Sequence, residues 1–232
     1  VGYEKVLSEL MMKHEPYKRF ILDLSDKETI WKNIQREKRK AVRKAEKVGV
    51  IVKPLPLSDM DKAYLLYCRN MRSFGSPPFS RGFFQSFYKN LVKKGMGEVF
   101  ASYFKGQVIS FLLGFCYGDR IHIIISVSDS RFLSMRPNDA MHWAFIQYAM
   151  QKEFSYFDFG RVRENSGQFE FKKKWGAELF SLPHYFLLWR CKNIPEIDPE
   201  NPKYKILTQL WRRLPLNLIK QFGPKIREGL GI

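Results

Sequence analysis

Apolar and polar positions alternate along this chain with two periods, and the switches between them mark its elements. A short apolar run at residues 20–24 predicts a strand, and Ser25 followed by Glu28 is the capping-box pattern that opens a helix. In that helix Ile30, Ile34, Ala41, Ala45 and Val48 share one face, and Gly49 closes it. Residues 50–55 predict a second strand, stopped by Pro54 and Pro56. Residues 59–73 are helical, with Met60, Ala63, Tyr64, Tyr67 and Met71 in register. The paired Pro77 and Pro78 force a loop, and a further helix spans 81–93.

From there the period becomes two. Residues 98–104, 107–117 and 120–127 read as strands, and the tight connectors Lys105-Gly106 and Gly118-Asp119 make them an antiparallel meander. Residues 137–153 form a helix whose Ala140, Met141, Ala144, Phe145 and Ala149 would pack on that sheet. A strand at 156–160, a short helix at 169–175 and a strand pair at 181–190 complete the core. The order implies an α+β fold, a mixed and mainly antiparallel central sheet with helices on both faces.

Composition narrows the class. The 232 residues are 45% hydrophobic with 20 Phe, ample for a buried core. Cys68, Cys116 and Cys191 are odd in number and contain no C-x-x-C pair, which argues against a disulfide framework and for a reducing compartment. His14, His122, His142 and His184 lack metal-ligand spacing, so no metal is expected, and His122 and His142 read as structural. No apolar run is long enough to span a bilayer, and residues 1–13 carry too many charges for a signal peptide. A first residue other than Met points to a processed or trimmed chain. The net charge of +17 favours polyanionic partners such as RNA, nucleotide phosphates or an anionic membrane. Much of it lies on the polar face of the first helix, where Arg36, Arg39, Lys40 and Arg43, with Lys32, Lys38, Lys44 and Lys47, form a candidate phosphate- or RNA-binding stripe.

Five local patterns together resemble the FemAB-related branch of the GNAT fold. They are Arg39-Lys40-Ala41-Val42-Arg43-Lys44-Ala45 leading to Gly49; Met71-Arg72-Ser73-Phe74-Gly75-Ser76-Pro77; and Phe157-Asp158-Phe159-Gly160-Arg161. The others are Phe171-Lys172-Lys173-Lys174-Trp175-Gly176 and the tail, Trp211-Arg212-Arg213-Leu214-Pro215 with Phe222-Gly223-Pro224. The tail is similar to that of the subgroup found with exopolysaccharide and PEP-CTERM export systems. The resemblance implies N-acyl or aminoacyl transfer to an amine of a cell-envelope or exopolysaccharide precursor. Aminoacyl-tRNA or acyl-CoA would be the co-substrate, with no resident cofactor, and tRNA, CoA or a nucleotide-linked precursor the anionic partner. It also implies two GNAT-like lobes, of which residues 1–19 would be the remnant or linker of the first. Residues 20–192 would then be the catalytic lobe and 193–232 a basic amphipathic tail. Conventional acetyl-CoA-dependent N-acetylation, and a lobe that only binds RNA or anionic lipid, remain alternatives. The expected location is cytoplasmic, with peripheral contact at the inner membrane through the tail.

Acyl transfer to an amine needs a positive donor beside the carbonyl oxygen and a route for the amine proton. Within this resemblance Lys172 is the catalytic candidate, flanked by Phe169, Phe171 and Trp175, which would desolvate it and sharpen its field. Asp158 either acts as a base or holds Arg161 or a backbone amide; strand alternation puts it opposite Phe157 and Phe159. Arg161, Arg163, Ser166, Gly167, Phe171 and Trp175 are the substrate-binding candidates, Ser166 and Gly167 because they open a helix whose N–H groups attract anions. GNAT enzymes usually bind the CoA pyrophosphate on a glycine-rich turn. Here residues 129–137 carry Arg131 and Arg136 but no glycine, which tilts the donor toward aminoacyl-tRNA.

Overall fold

The computed structural model describes residues 6–7, 10–189 and 202–230. One seven-stranded sheet forms the centre, in the order β2-β3-β4-β5-β6-β1-β7. Its strands are β1 (Met12–Asp23), β2 (Ile51–Pro54), β3 (Gly97–Phe104), β4 (Gln107–Tyr117), β5 (Arg120–Ser128), β6 (Tyr156–Val162) and β7 (Glu178–Phe186). Every neighbouring pair is antiparallel except β5–β6. Helices α1 (Lys27–Asn33), α2 (Arg36–Lys47), α5 (Pro137–Gln151) and α6 (Gly167–Lys173) supply Ile30, Val42, Met141, Phe145, Phe169 and Phe171 to one apolar layer. Helices α3 (Met60–Phe74) and α4 (Arg81–Asn90) cover the other face through Tyr64, Tyr67, Phe84 and Phe87. This is the expected α+β arrangement, an open mixed sheet between helical layers.

The meander is legible because tight turns and strict alternation fix register locally. Other expectations need correction. The first strand starts at Met12, not Phe20, so the boundary expected after residue 19 falls inside β1. Long-range pairing with β6 and β7 makes that segment a strand despite its five charged residues. The expected single helix is two, because Ile34 and Gln35 are extended, with ψ of 134° and 143°. The capping box does not form. Asp26 is the N-cap residue, and the Ser25 backbone N–H donates to Asp23 instead. Val48 is exposed at the helix end. The expected C-terminal strand pair is one strand, β7, whose partner is β1; Arg190 and Cys191 lie outside the described residues.

The tail forms α7 (Pro202–Arg213) and α8 (Leu216–Leu230), which dock on the loop after α3. The Trp211 indole donates to the Ser76 carbonyl at 3.1 Å, and Arg227 donates to the Pro77 carbonyl at 3.0 Å while lying over the Phe79 ring. Among the described residues no helix is long and apolar enough to cross a membrane, and no cluster of His, Cys, Asp and Glu could hold a metal.

Candidate functional site

The β5–β6 ladder consists of Arg120–Tyr156, Ile121–Phe157 and His122–Asp158. Strand β5 runs on to Ser128 and β6 to Val162, so the two strands part beyond the His122–Asp158 pair. Gly160 sits at the fork with φ of +74°, and a side chain there would run into the Ile123 carbonyl oxygen. Only glycine combines that left-handed backbone with so close an approach.

Asp158 is 1% exposed and points away from Phe157 and Phe159, as alternation requires. One carboxylate oxygen accepts from the Gly160 backbone N–H at 2.8 Å. The other lies 3.1 Å from His122 Nδ1 and 3.7 Å from an Arg19 guanidinium nitrogen. Burial pushes this carboxyl up, but the hydrogen bonds from His122 and Gly160 and the Arg19 charge outweigh it. The result lies below the ordinary carboxylate value. Asp158 thus holds a backbone amide and His122, and it does not hold Arg161. Such a carboxylate is a weak proton acceptor.

Lys172 reaches the same fork from α6. Its ammonium donates to the Gly160 carbonyl at 2.9 Å and the Arg161 carbonyl at 3.0 Å. The side chain is buried, and desolvation, opposed by the Asp158 charge, pushes its pKa down to about 8. Ser166 caps α6 by accepting from the Phe169 N–H at 3.2 Å and donating to the Arg163 carbonyl at 2.7 Å. Phe171 and the fully buried Trp175 pack beside Lys172 in the apolar layer, while Gly167 is exposed.

Behind Lys172 lies a second buried cation. Lys38, expected on the solvated basic stripe, is instead buried, 2.6 Å from Asp139 and 3.5 Å from the Phe171 ring centre. Its position three residues before Ala41 places it on the helix face that meets α5. His142 is buried among Phe159, Phe171 and Trp175, donates from Nδ1 to the Asn138 carbonyl at 2.8 Å, and has its pKa pushed down by desolvation to about 3. It is a neutral structural residue.

The rest of the stripe faces solvent. Arg36, Lys40 and Arg43 are exposed, and Arg39 is half-buried, donating to the Lys32 carbonyl at 3.3 Å. Arg36 and Lys40 line a surface concavity of about 470 Å³ with Gln35 and Glu37. Arg136 lies near enough to contribute to lowering the Glu37 pKa, after the larger effect of the Lys174 hydrogen bond. The α5 start lacks features of a usual diphosphate cradle. Pro137 has no N–H, and the Asp139 carboxylate occupies the first turn.

The structure therefore brings Lys172, Asp158 and the Arg161 backbone together. The Arg161 and Arg163 side chains are exposed and lie 5.0 and 5.5 Å from the Tyr17 ring centre, on the β1 side of the sheet. The Lys172 ammonium meets Arg161 through its backbone carbonyl, and among the described residues the structure shows no contact of that ammonium with either guanidinium. Sequence reading missed Arg19 and His122, whose roles depend on the β5–β6–β1 pairing. His122 signals itself only as a polar side chain inside an apolar strand, which is common to many positions, and Arg19, in a charged stretch before the expected strand, gives no signal.

The profile of the acetyltransferase (GNAT) domain family matches residues 32–173, more than half of the chain. Among solved structures, FemX superposes with a TM-score of 0.69 at 14% identity, covering 91% of this chain and 71% of its own. The L-PGS of Bacillus licheniformis gives 0.62 at 15% identity, covering 92% and 71%. A conserved protein of unknown function from Bacteroides thetaiotaomicron gives 0.56 at 11%, covering 79% and 64%. At these identities the likeness is one of fold. A search of curated proteins gave no match.

Proposed function

We propose, from the premise that the chain belongs to the acetyltransferase (GNAT) domain family, that it transfers an acyl or aminoacyl group to an amine of a cell-envelope or exopolysaccharide precursor. The observation that carries this reading is the Lys172 ammonium at the parting of β5 and β6. Two of its three N–H bonds go to the Gly160 and Arg161 carbonyls, and the third can meet a developing oxyanion. A pKa near 8 keeps it charged at neutral pH. The FemAB resemblance and the glycine-free stretch 129–137 leading into the proline-started α5 favour aminoacyl-tRNA as donor, with Arg36, Arg39, Lys40, Arg43 and Arg136 on its phosphates. Arg161 and Arg163 would meet the anionic part of the acceptor.

The basic concavity beside Arg136 also favours a second reading, acyl-CoA as donor with arginines replacing the glycine-rich turn. Screening acyl-CoAs against charged tRNAs, with product mass as readout, separates the two. Binding that weakens steeply with salt and yields no product from any donor would refute transfer and leave a binding module. The site of action we propose is the cytoplasmic face of the inner membrane. The tail supports contact there by keeping Ile206, Leu207, Leu210 and Phe222 exposed beside Arg212, Arg213 and Lys225.

A further inference from the structure

We infer that His122, held by Asp158, is the general base that deprotonates the acceptor amine, an assignment that rests on the transfer reading above. The two residues are cross-strand partners at the last β5–β6 pair, so the backbone ladder fixes their separation. The Asp158 carboxylate is 1% exposed, whereas the imidazole is 43% exposed. A carboxylate accepts only, so Nδ1, 3.1 Å away, carries the proton of that hydrogen bond. Nε2 is then the basic nitrogen, on the half-exposed side of the ring. Asp158 is itself oriented by the Gly160 N–H and by Arg19, which leaves it no freedom to let the imidazole turn. This is the division of labour in a base–orienter pair: one group moves the proton and the buried acid selects the tautomer.

The dyad and Lys172 flank the same fork from opposite sides. His122 and Asp158 point away from the layer containing Ile121, Ile123, Phe157 and Phe159, while Lys172 comes from α6, which packs on that layer. An acyl carbonyl lodged between the parted strands would present its oxygen to Lys172 and its carbon to an amine arriving from the His122 side. The acceptor ammonium gives one proton to Nε2, and the free amine adds to the carbonyl carbon. The tetrahedral oxyanion collapses and breaks the bond to the donor's ribose oxygen or CoA sulfur. The second N–H proton passes to that leaving atom, the amide remains, and Nε2 returns its proton to water.

The test uses whichever donor and acceptor give product in the screen. His122→Ala should lower kcat by about 10²–10⁴-fold with KM little changed, and added imidazole should restore part of it, because the ring site is open to solvent. Asp158→Asn is a positioning variant and should lower kcat less while raising the Nε2–H tautomer. Nitrogen-15 NMR of the neutral imidazole in the wild type should show Nδ1 protonated and Nε2 bare. Unchanged kcat in His122→Ala, or a loss that imidazole does not relieve in a folded variant, overturns the role of His122 and leaves the transfer reading standing. A wild-type Nε2–H tautomer overturns it without any substrate. No product from any donor overturns the transfer reading and this role with it.

Discussion

Lys172→Met tests the environment of the central cation without needing a substrate. In the wild type the ammonium is buried, and its pKa falls from 10.5 to about 8. At about 1.4 kcal/mol per pH unit this corresponds to roughly 3 kcal/mol of penalty for keeping the charge in the fold. The sign follows from proton counting. Between about pH 8 and 10.5 the unfolded chain holds the lysine proton and the folded chain does not, so stability from this group rises with pH. Once neutral, the amine still has two N–H bonds, enough for the Gly160 and Arg161 carbonyls. Methionine removes both the penalty and the two hydrogen bonds, the latter costing about 1–3 kcal/mol for each carbonyl left unsatisfied. Near pH 7 the terms roughly offset. The gap between wild type and variant should therefore widen by up to about 3 kcal/mol as pH climbs from about 7.5 to 10.5. For a domain of this size that is roughly 6–12 °C in Tm. Thermal unfolding followed by circular dichroism at matched pH values measures it, and other titrating groups cancel in the difference. Parallel curves for the two proteins would refute a desolvated lysine at this position.

Three further outcomes follow from the same geometry. Asp139→Asn leaves the buried Lys38 charge without its partner and should cost about 3–5 kcal/mol by denaturant unfolding, whereas Lys38→Met with Asp139→Leu should recover much of that loss. Gly160→Ala forces a side chain against the Ile123 carbonyl at φ of +74°. It should cost about 1–2 kcal/mol from backbone conformation, with the clash added, and lower any transfer activity by moving the carbonyl that receives Lys172. For the tail, sedimentation with vesicles of mixed anionic and neutral phospholipid should retain the protein at low salt. Leu210→Ser with Phe222→Ser should abolish retention, and equal retention on purely neutral vesicles would contradict an electrostatic contribution.

The sequence by itself determined the meander, α3, α5 and the α+β class, because tight turns, strict alternation and helical periodicity are written within ten or fifteen residues. It also placed Asp158 opposite its flanking phenylalanines and put Lys172 one turn into a capped helix. Only tertiary structure decided what those groups touch. Strand β1 reads as a charged segment until β6 and β7 pair with it, and Arg19 and His122 reach Asp158 only because β1 and β5 flank β6. Lys38 looked like one cation among many on a polar face, yet a partner 101 residues away draws it inside. Local spacing records which face a side chain takes relative to its own neighbours. It does not record which distant carboxylate or carbonyl waits there, since that depends on pairings whose entropy cost is repaid only when the whole sheet closes.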